Sequence, residues 1–135
     1  MHLVPVNWLA ILVAVVIRMA VGTLWYSPVM FVKPWQALTG VTPDSMRAGM
    51  GKAIGVDLVM SLLMALVLQQ VAAGFGVTDP ISGVFAAVHV WVGFVVATAL
   101  PLWGYENRPL KLIAINSGHN LVALVLMGAA FGLIR

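Results

Sequence analysis

The side chains able to do chemistry in this chain are few, and they sit inside apolar stretches: Arg18, Asp57, Ser61, Gln69, Gln70, His89, Thr98, Asn116, Ser117, His119 and Asn120. Asn116, His119 and Asn120 recur at spacings of three and four, which puts them on one face of a helix. His119 is the member of that face able to change charge near neutral pH. The face reads either as interhelical hydrogen bonding or as the lining of a polar path. Arg18 precedes Trp25 by ~10 Å of helical rise, and Asp57 follows Lys52 by ~7.5 Å, so the two can meet as a buried ion pair. The competing reading is that Arg18 snorkels to the headgroups. His89 and His119 differ by ~9 Å in height, which argues against a bis-histidine haem and leaves single-histidine pigment or metal ligation open. There is no His-x-x-x-His, carboxylate cluster or Ser/His/Asp set, so the expectation is a protein that is not an enzyme, with no cofactor and no metal.

The elements that must position these groups follow from composition. Of 135 residues 62% are hydrophobic and 8% charged, with a mean hydropathy of +1.06. A water-soluble fold could not cover that much apolar surface. With no cysteine, disulfides, thiolate metal sites and a Cys nucleophile are excluded. The net charge of +3 is spread singly at the ends of apolar runs and forms no patch, so nucleic acid is not an expected partner.

Four stretches have the ~20 apolar residues that cross a bilayer: residues 6–26, 53–73, 81–103 and 110–133. The first lacks the basic start of a cleavable leader and reads as a retained span. The fold class is therefore all-α, a bundle of four transmembrane helices in one domain, with the lipid bilayer as its first partner. Lys33, Arg47 and Lys52 lie in the first connection, Arg108 and Lys111 in the third, and only Asp79 in the second. The positive-inside rule makes connections one and three cytoplasmic and both termini non-cytoplasmic. Within the long first connection, residues 29–38 read as an interfacial segment broken at Pro34, and Thr42-Pro43-Asp44 as the start of a short helix.

The halves correspond. Lys52-Ala53-Ile54-Gly55-Val56-Asp57 aligns with Lys111-Leu112-Ile113-Ala114-Ile115-Asn116, and Ser61 then falls on Asn120. This predicts two pseudo-repeated helical hairpins, with Asp57 and Asn116 at equal depth. Gly51-x-x-x-Gly55 and Gly128-x-x-x-Gly132 are small-residue packing motifs for use within the bundle or in self-association.

Asn7-Trp8-Leu9-Ala10, Gly22-Thr23-Leu24-Trp25-Tyr26-Ser27-Pro28, Lys33 with Trp35, and Arg108-Pro109-Leu110-Lys111-Leu112 with Ile115-Asn116 resemble the bacterial membrane family filed as domain of unknown function 1761. The resemblance spans nearly the whole chain and implies four helices and a bacterial inner-membrane location. It carries no assigned activity, and Arg18 departs from its pattern. The functional expectation leans to an oligomeric transport or permeation protein using Asp57, Asn116, His119 and Asn120, with Arg18 balancing charge. The alternative is a non-catalytic accessory subunit docking on a larger membrane complex.

Overall fold

The computed structural model describes residues 2–135, which hold four helices long and apolar enough to cross a membrane. α1 is Trp8–Trp25, α2 Val32–Thr39, α3 Pro43–Ala48 and α4 Met50–Gly74. The third span, Pro80–Glu106, is built from α5 (Pro80–Val90), a π-helical stretch (Trp91–Val96) and α6 (Ala97–Glu106). α7 is Leu110–Leu133. One end of the bundle carries the termini and the second connection; the other carries connections one and three. They are called here the terminal end and the loop end.

Local chemistry sets the helix ends. Asn7 accepts from the Ala10 N–H at 3.1 Å and caps α1. Thr42 and Ser45 form a reciprocal capping box with Pro43 at the first helical position of α3. Asp79 and Ser82 do the same for α5. α2 is not broken at Pro34: the proline lies in its first turn, where no intrahelical N–H is required, and the helix runs on to an αL cap at Gly40 (φ 76°). The third span also runs beyond residue 103, to Glu106 at the end of α6, where Asn107 closes it at φ 51°.

α7 is the central element. Half of its apolar window is buried, against 22%, 17% and 17% for the other spans. It packs most extensively on α5 and next on α1. Glycines make the first contact possible. A Cβ on Gly83 would lie 1.9 Å from the Gly128 carbonyl oxygen, and one on Gly132 would lie 2.0 Å from that of Asp79. Backbone therefore rests on backbone along this seam. The Gly128–Gly132 motif is used here, facing a Gly83 that the sequence reading did not single out. Gly51 and Gly55 are not packed within the bundle: a Cβ on either meets nothing within 4 Å.

The two ends of the molecule differ. At the terminal end Ala10, Ile11 and Ala14 of α1, Ala65, Leu68 and Ala72 of α4, Ala87 of α5, and Leu124, Met127 and Phe131 of α7 make one continuous core. Small residues on three spans let the helices close around Met127, which is fully buried. At the loop end α6 buries no residue, and in the first turns of α4, residues 50–60, every residue except Asp57 is exposed. The loop end of α7 is covered instead by α1 and α2, through Trp25 on Phe31 (4.7 Å between centroids), Tyr26 on Trp35 (5.6 Å) and the buried Val32. The contacts are not those of a two-fold. α1 packs broadly on α7, whereas its repeat counterpart, α5 on α4, is a slight contact.

Two predictions follow from these contacts. Gly83→Ala and Gly132→Ala should each lower the unfolding midpoint in detergent, by an overpacking cost of about 1–3 kcal/mol, while Gly51→Ala and Gly55→Ala should leave it unchanged; circular-dichroism melts test this. Hydrogen bonds from the Ser82 N–H first, and then its hydroxyl, hold the Asp79 carboxyl below its ordinary value of 3.8. Its contribution to the second connection is complete above that value and fades as pH falls through the lower folded value. Asp79→Asn should therefore flatten the acid limb of the midpoint-versus-pH curve.

Candidate functional site

α1 presents Arg18, Gly22 and Tyr26 at successive spacings of four, one stripe on one helical face. The stripe faces α4 and α7 at the level where the apolar core gives way to the loop end. Arg18 Nη1 donates to Asp57 Oδ1 at 2.5 Å and to Ser61 Oγ at 2.6 Å. Asp57 and Ser61 are themselves four residues apart, so one guanidinium nitrogen reads a single face of α4. The Arg18 side chain is 11% exposed and that of Asp57 42%. The arginine is thus sunk in the bundle, and the carboxylate is partly exposed. Ser61 is fully buried and also reaches Met19 Sδ at 3.5 Å.

The Tyr26 hydroxyl donates to Asn116 Oδ1 at 2.7 Å, and its ring lies 5.3 Å from that of His119. His119 is 7% exposed, and its Nε2 is buried without a hydrogen-bond partner, as is Arg18 Nε. Arg18, Asp57, Ser61, Tyr26, Asn116 and His119 thus meet as one polar unit. Asn120 spends its amide on the Asn116 carbonyl of its own helix.

Two tryptophans fix α7 around this unit. Trp25 Nε1 donates to the Ile115 carbonyl at 2.9 Å, and Trp91 Nε1 to the Ser117 carbonyl at 2.8 Å. Gly118 makes room for the first, since a Cβ there would fall 2.9 Å from Trp25 Cζ2. Trp91 begins the π-helical stretch of the third span, where the altered winding re-aims side chains.

Of the residues singled out by type and spacing, Arg18, Asp57, Ser61, Asn116 and His119 converge, and Asn120 lies at their edge. His89 does not join them. It is exposed on the outer surface of α5, where Nδ1 donates to the Phe85 carbonyl at 2.8 Å and the ring lies against Phe75 and Phe85. Thr98 is likewise exposed and bonds carbonyls of its own helix. Gln69 and Gln70 hold the N-terminal segment: Gln70 exchanges bonds with the Val4 N–H (2.8 Å) and carbonyl (3.0 Å), and Gln69 donates to the Pro5 carbonyl (3.2 Å). Tyr26, Trp25 and Trp91 are not singled out by type and spacing, since Trp25 and Tyr26 end the first apolar stretch and Trp91 lies inside the third. The Tyr26 signal was nonetheless present in its spacing of eight from Arg18.

No group of three or more metal-ligating side chains occurs among the described residues. His119 Nε2 faces the bare Cα of Gly22, 3.2 Å from where a Cβ would sit, which leaves no room for a macrocycle. Two clefts, of about 280 and 680 Å³, flank the N-terminal segment at the terminal end and do not touch the polar unit.

Removing one partner of the ion pair leaves the other uncompensated. Asp57→Ala should cost about 3 kcal/mol, the lower part of the range for a buried pair because the carboxylate is half open. Arg18→Leu combined with Asp57→Leu should recover most of that loss, as read from unfolding midpoints of the single and double variants in one detergent.

No curated protein and no solved structure matches the chain. A family model described as Protein of unknown function (DUF1761) matches residues 9–132, a range that takes in Arg18, Asp57, His119 and the glycine seam alike. The chain belongs to that family.

Proposed function

We propose that this chain is a small-solute transport or permeation protein of a bacterial inner membrane, working as an oligomer, with its loop end on the cytoplasmic side. The observation that carries this reading is a polar unit inside an apolar bundle: Arg18, Asp57, Ser61, Tyr26, Asn116 and His119 meet where the first, second and fourth spans face one another, with Arg18 and His119 buried. Ionisable groups held inside a membrane bundle are what a route for a solute or a proton is built from. The correspondence of Lys52–Ser61 with Lys111–Asn120 supports reading the two hairpins as diverged copies, since Asp57 and Asn116 each meet a polar group of α1. The basic residues of connections one and three support the orientation.

A second reading is favoured by a different observation. Three spans keep large apolar side chains facing outward, among them Leu12, Val59 and Phe94. An accessory subunit would lay those faces against a larger membrane complex.

Osmotic re-swelling of proteoliposomes in a panel of small neutral and ionic solutes, read by light scattering, tests the first reading. Wild type should admit at least one solute, and His119→Ala and Asp57→Asn should return that rate to the level of protein-free vesicles. Equal rates for all three proteins would retire it. Extraction in mild detergent as a stoichiometric complex with a different protein would establish the second reading in its place.

A further inference from the structure

Most of the polar unit is tied by hydrogen bonds, and His119 is the exception. Arg18 engages Asp57 and Ser61, and Tyr26 engages Asn116. His119 is 7% exposed, and its Nε2 is buried with no hydrogen-bond partner. A neutral imidazole carries its hydrogen on one nitrogen and a lone pair on the other. A hydrogen on Nε2 would be a buried donor without an acceptor, which bears the whole cost of leaving water. Placing it on Nδ1, which is not among the buried atoms without partners, avoids that cost. The ring therefore holds a bare Nε2 inside the bundle.

Gly22 is the residue that meets this nitrogen. A Cβ built on it would lie 3.2 Å from Nε2, closer than ordinary van der Waals contact. α1 and α7 are thus shut on each other at this atom, and neither cleft of the molecule reaches it. The Tyr26 ring lies 5.3 Å from the imidazole, and its hydroxyl bonds Asn116. Gly22 and Tyr26 are one turn apart on α1, as are His119 and Asn116 on α7. The tight contact and the Tyr26 bond are therefore consecutive turns of one seam.

A second hydrogen on the ring upsets this arrangement. It must go to Nε2, where the closed contact offers no acceptor. It also adds a cation. The charged groups of the unit, Arg18 from α1 and Asp57 from α4, are already paired with each other. Tyr26 from α1, Ser61 from α4, and Asn116, Ser117 and Asn120 from α7 are neutral. α2 brings Trp35 against Tyr26, and the third span brings Trp91 to the Ser117 carbonyl. Among the described residues none of these supplies a further negative charge. An imidazolium here is an uncompensated ion in an apolar bundle, tolerated only where water reaches it. Parting α1 from α7 at Gly22 admits that water.

We infer that His119 packed against Gly22 is a proton-operated latch: with Nε2 bare it holds α1 shut on α7, and protonation at Nε2 parts the two helices at the loop end. One proton is taken up on opening and one is released on closing. The Tyr26–Asn116 bond parts with the contact, whereas the Arg18–Asp57 pair joins α1 to α4 and need not break. The inference does not depend on the transport reading, since such a latch would serve an accessory subunit equally.

The test follows the ring and the helices separately, in lipid nanodiscs. His2→Ala with His89→Ala, both exposed positions, leaves His119 as the sole histidine, so its ¹⁵N resonances report tautomer and protonation directly. Leu24→Cys and Leu110→Cys, exposed near the loop ends of α1 and α7 in a chain without cysteine, carry a spin-label pair whose distance is read by pulsed electron resonance. At about pH 8 the hydrogen should sit on Nδ1 alone. Protonation should appear as pH falls from about 8 to about 5, the range in which an imidazole gains its proton. The spin-label distance should lengthen over the same titration by at least about 3 Å, the room one hydrogen-bonded water takes. His119→Gln, which cannot take up the proton, should hold the starting distance throughout. Hydrogen on Nε2 at the alkaline end, no protonation at the acid end, protonation without lengthening, or lengthening that persists in His119→Gln would each overturn the inference. Should His119→Gln fail to fold, the tautomer and the coincidence of the two titrations in the single-histidine protein still decide it.

Discussion

An arginine surrounded by hydrocarbon has to be answered by an opposite charge, and the position of that answer organises the loop-end half of this protein. Arg18 is drawn to α4 and not to the headgroups because Asp57 and Ser61 stand four residues apart on the face that meets it. With the guanidinium held there, α4 needs no apolar contact over its first turns, and the structure gives it almost none. The same placement leaves Asp57 partly exposed while Arg18 stays buried, so the charge pair is both the strut of the loop-end half and the edge of its polar unit.

The other half is closed by the opposite means. Between α5 and α7, Gly83, Gly128 and Gly132 bring carbonyl groups into contact with facing backbone. Alanines on α1, α4 and α5 continue the approach around Met127. In a lipid solvent, where apolar surface gains little by leaving its surroundings, such close van der Waals packing is what favours helix against helix. The π-helical stretch and Trp91 lie where the closed half ends, and the Trp91 indole ties the third span to α7 at Ser117.

Much of this architecture is legible in the residues themselves. Apolar run lengths suffice to count four spans, and the spacing of Arg18 and Asp57 from interface markers places them at compatible heights, because helical rise is constant. Other features are not, for physical reasons. Gly51-x-x-x-Gly55 and Gly128-x-x-x-Gly132 are equivalent as patterns, and only the facing Gly83 tells them apart, a pairing that no one-dimensional pattern holds. His89 and His119 look alike as isolated histidines in apolar helices; rotation about the helix axis sends one outward and the other into the core. Tyr26 and Trp25 carry the composition of a membrane interface, yet their polar atoms reach back to Asn116 and Ile115. The unequal contacts of the two hairpins also lie beyond sequence correspondence, since the glycine seam belongs to one hairpin only.

The glutamine pair near the terminal end of α4 has a mechanical consequence. Gln69 and Gln70 grip the backbone at Val4 and Pro5 just ahead of α1, while Arg18 grips α4 farther along. Two rivets, far apart on the same pair of rods, forbid one rod from turning about the other. The pair of helices is thereby held as a single plank, with α1 laid along α7 on its other side.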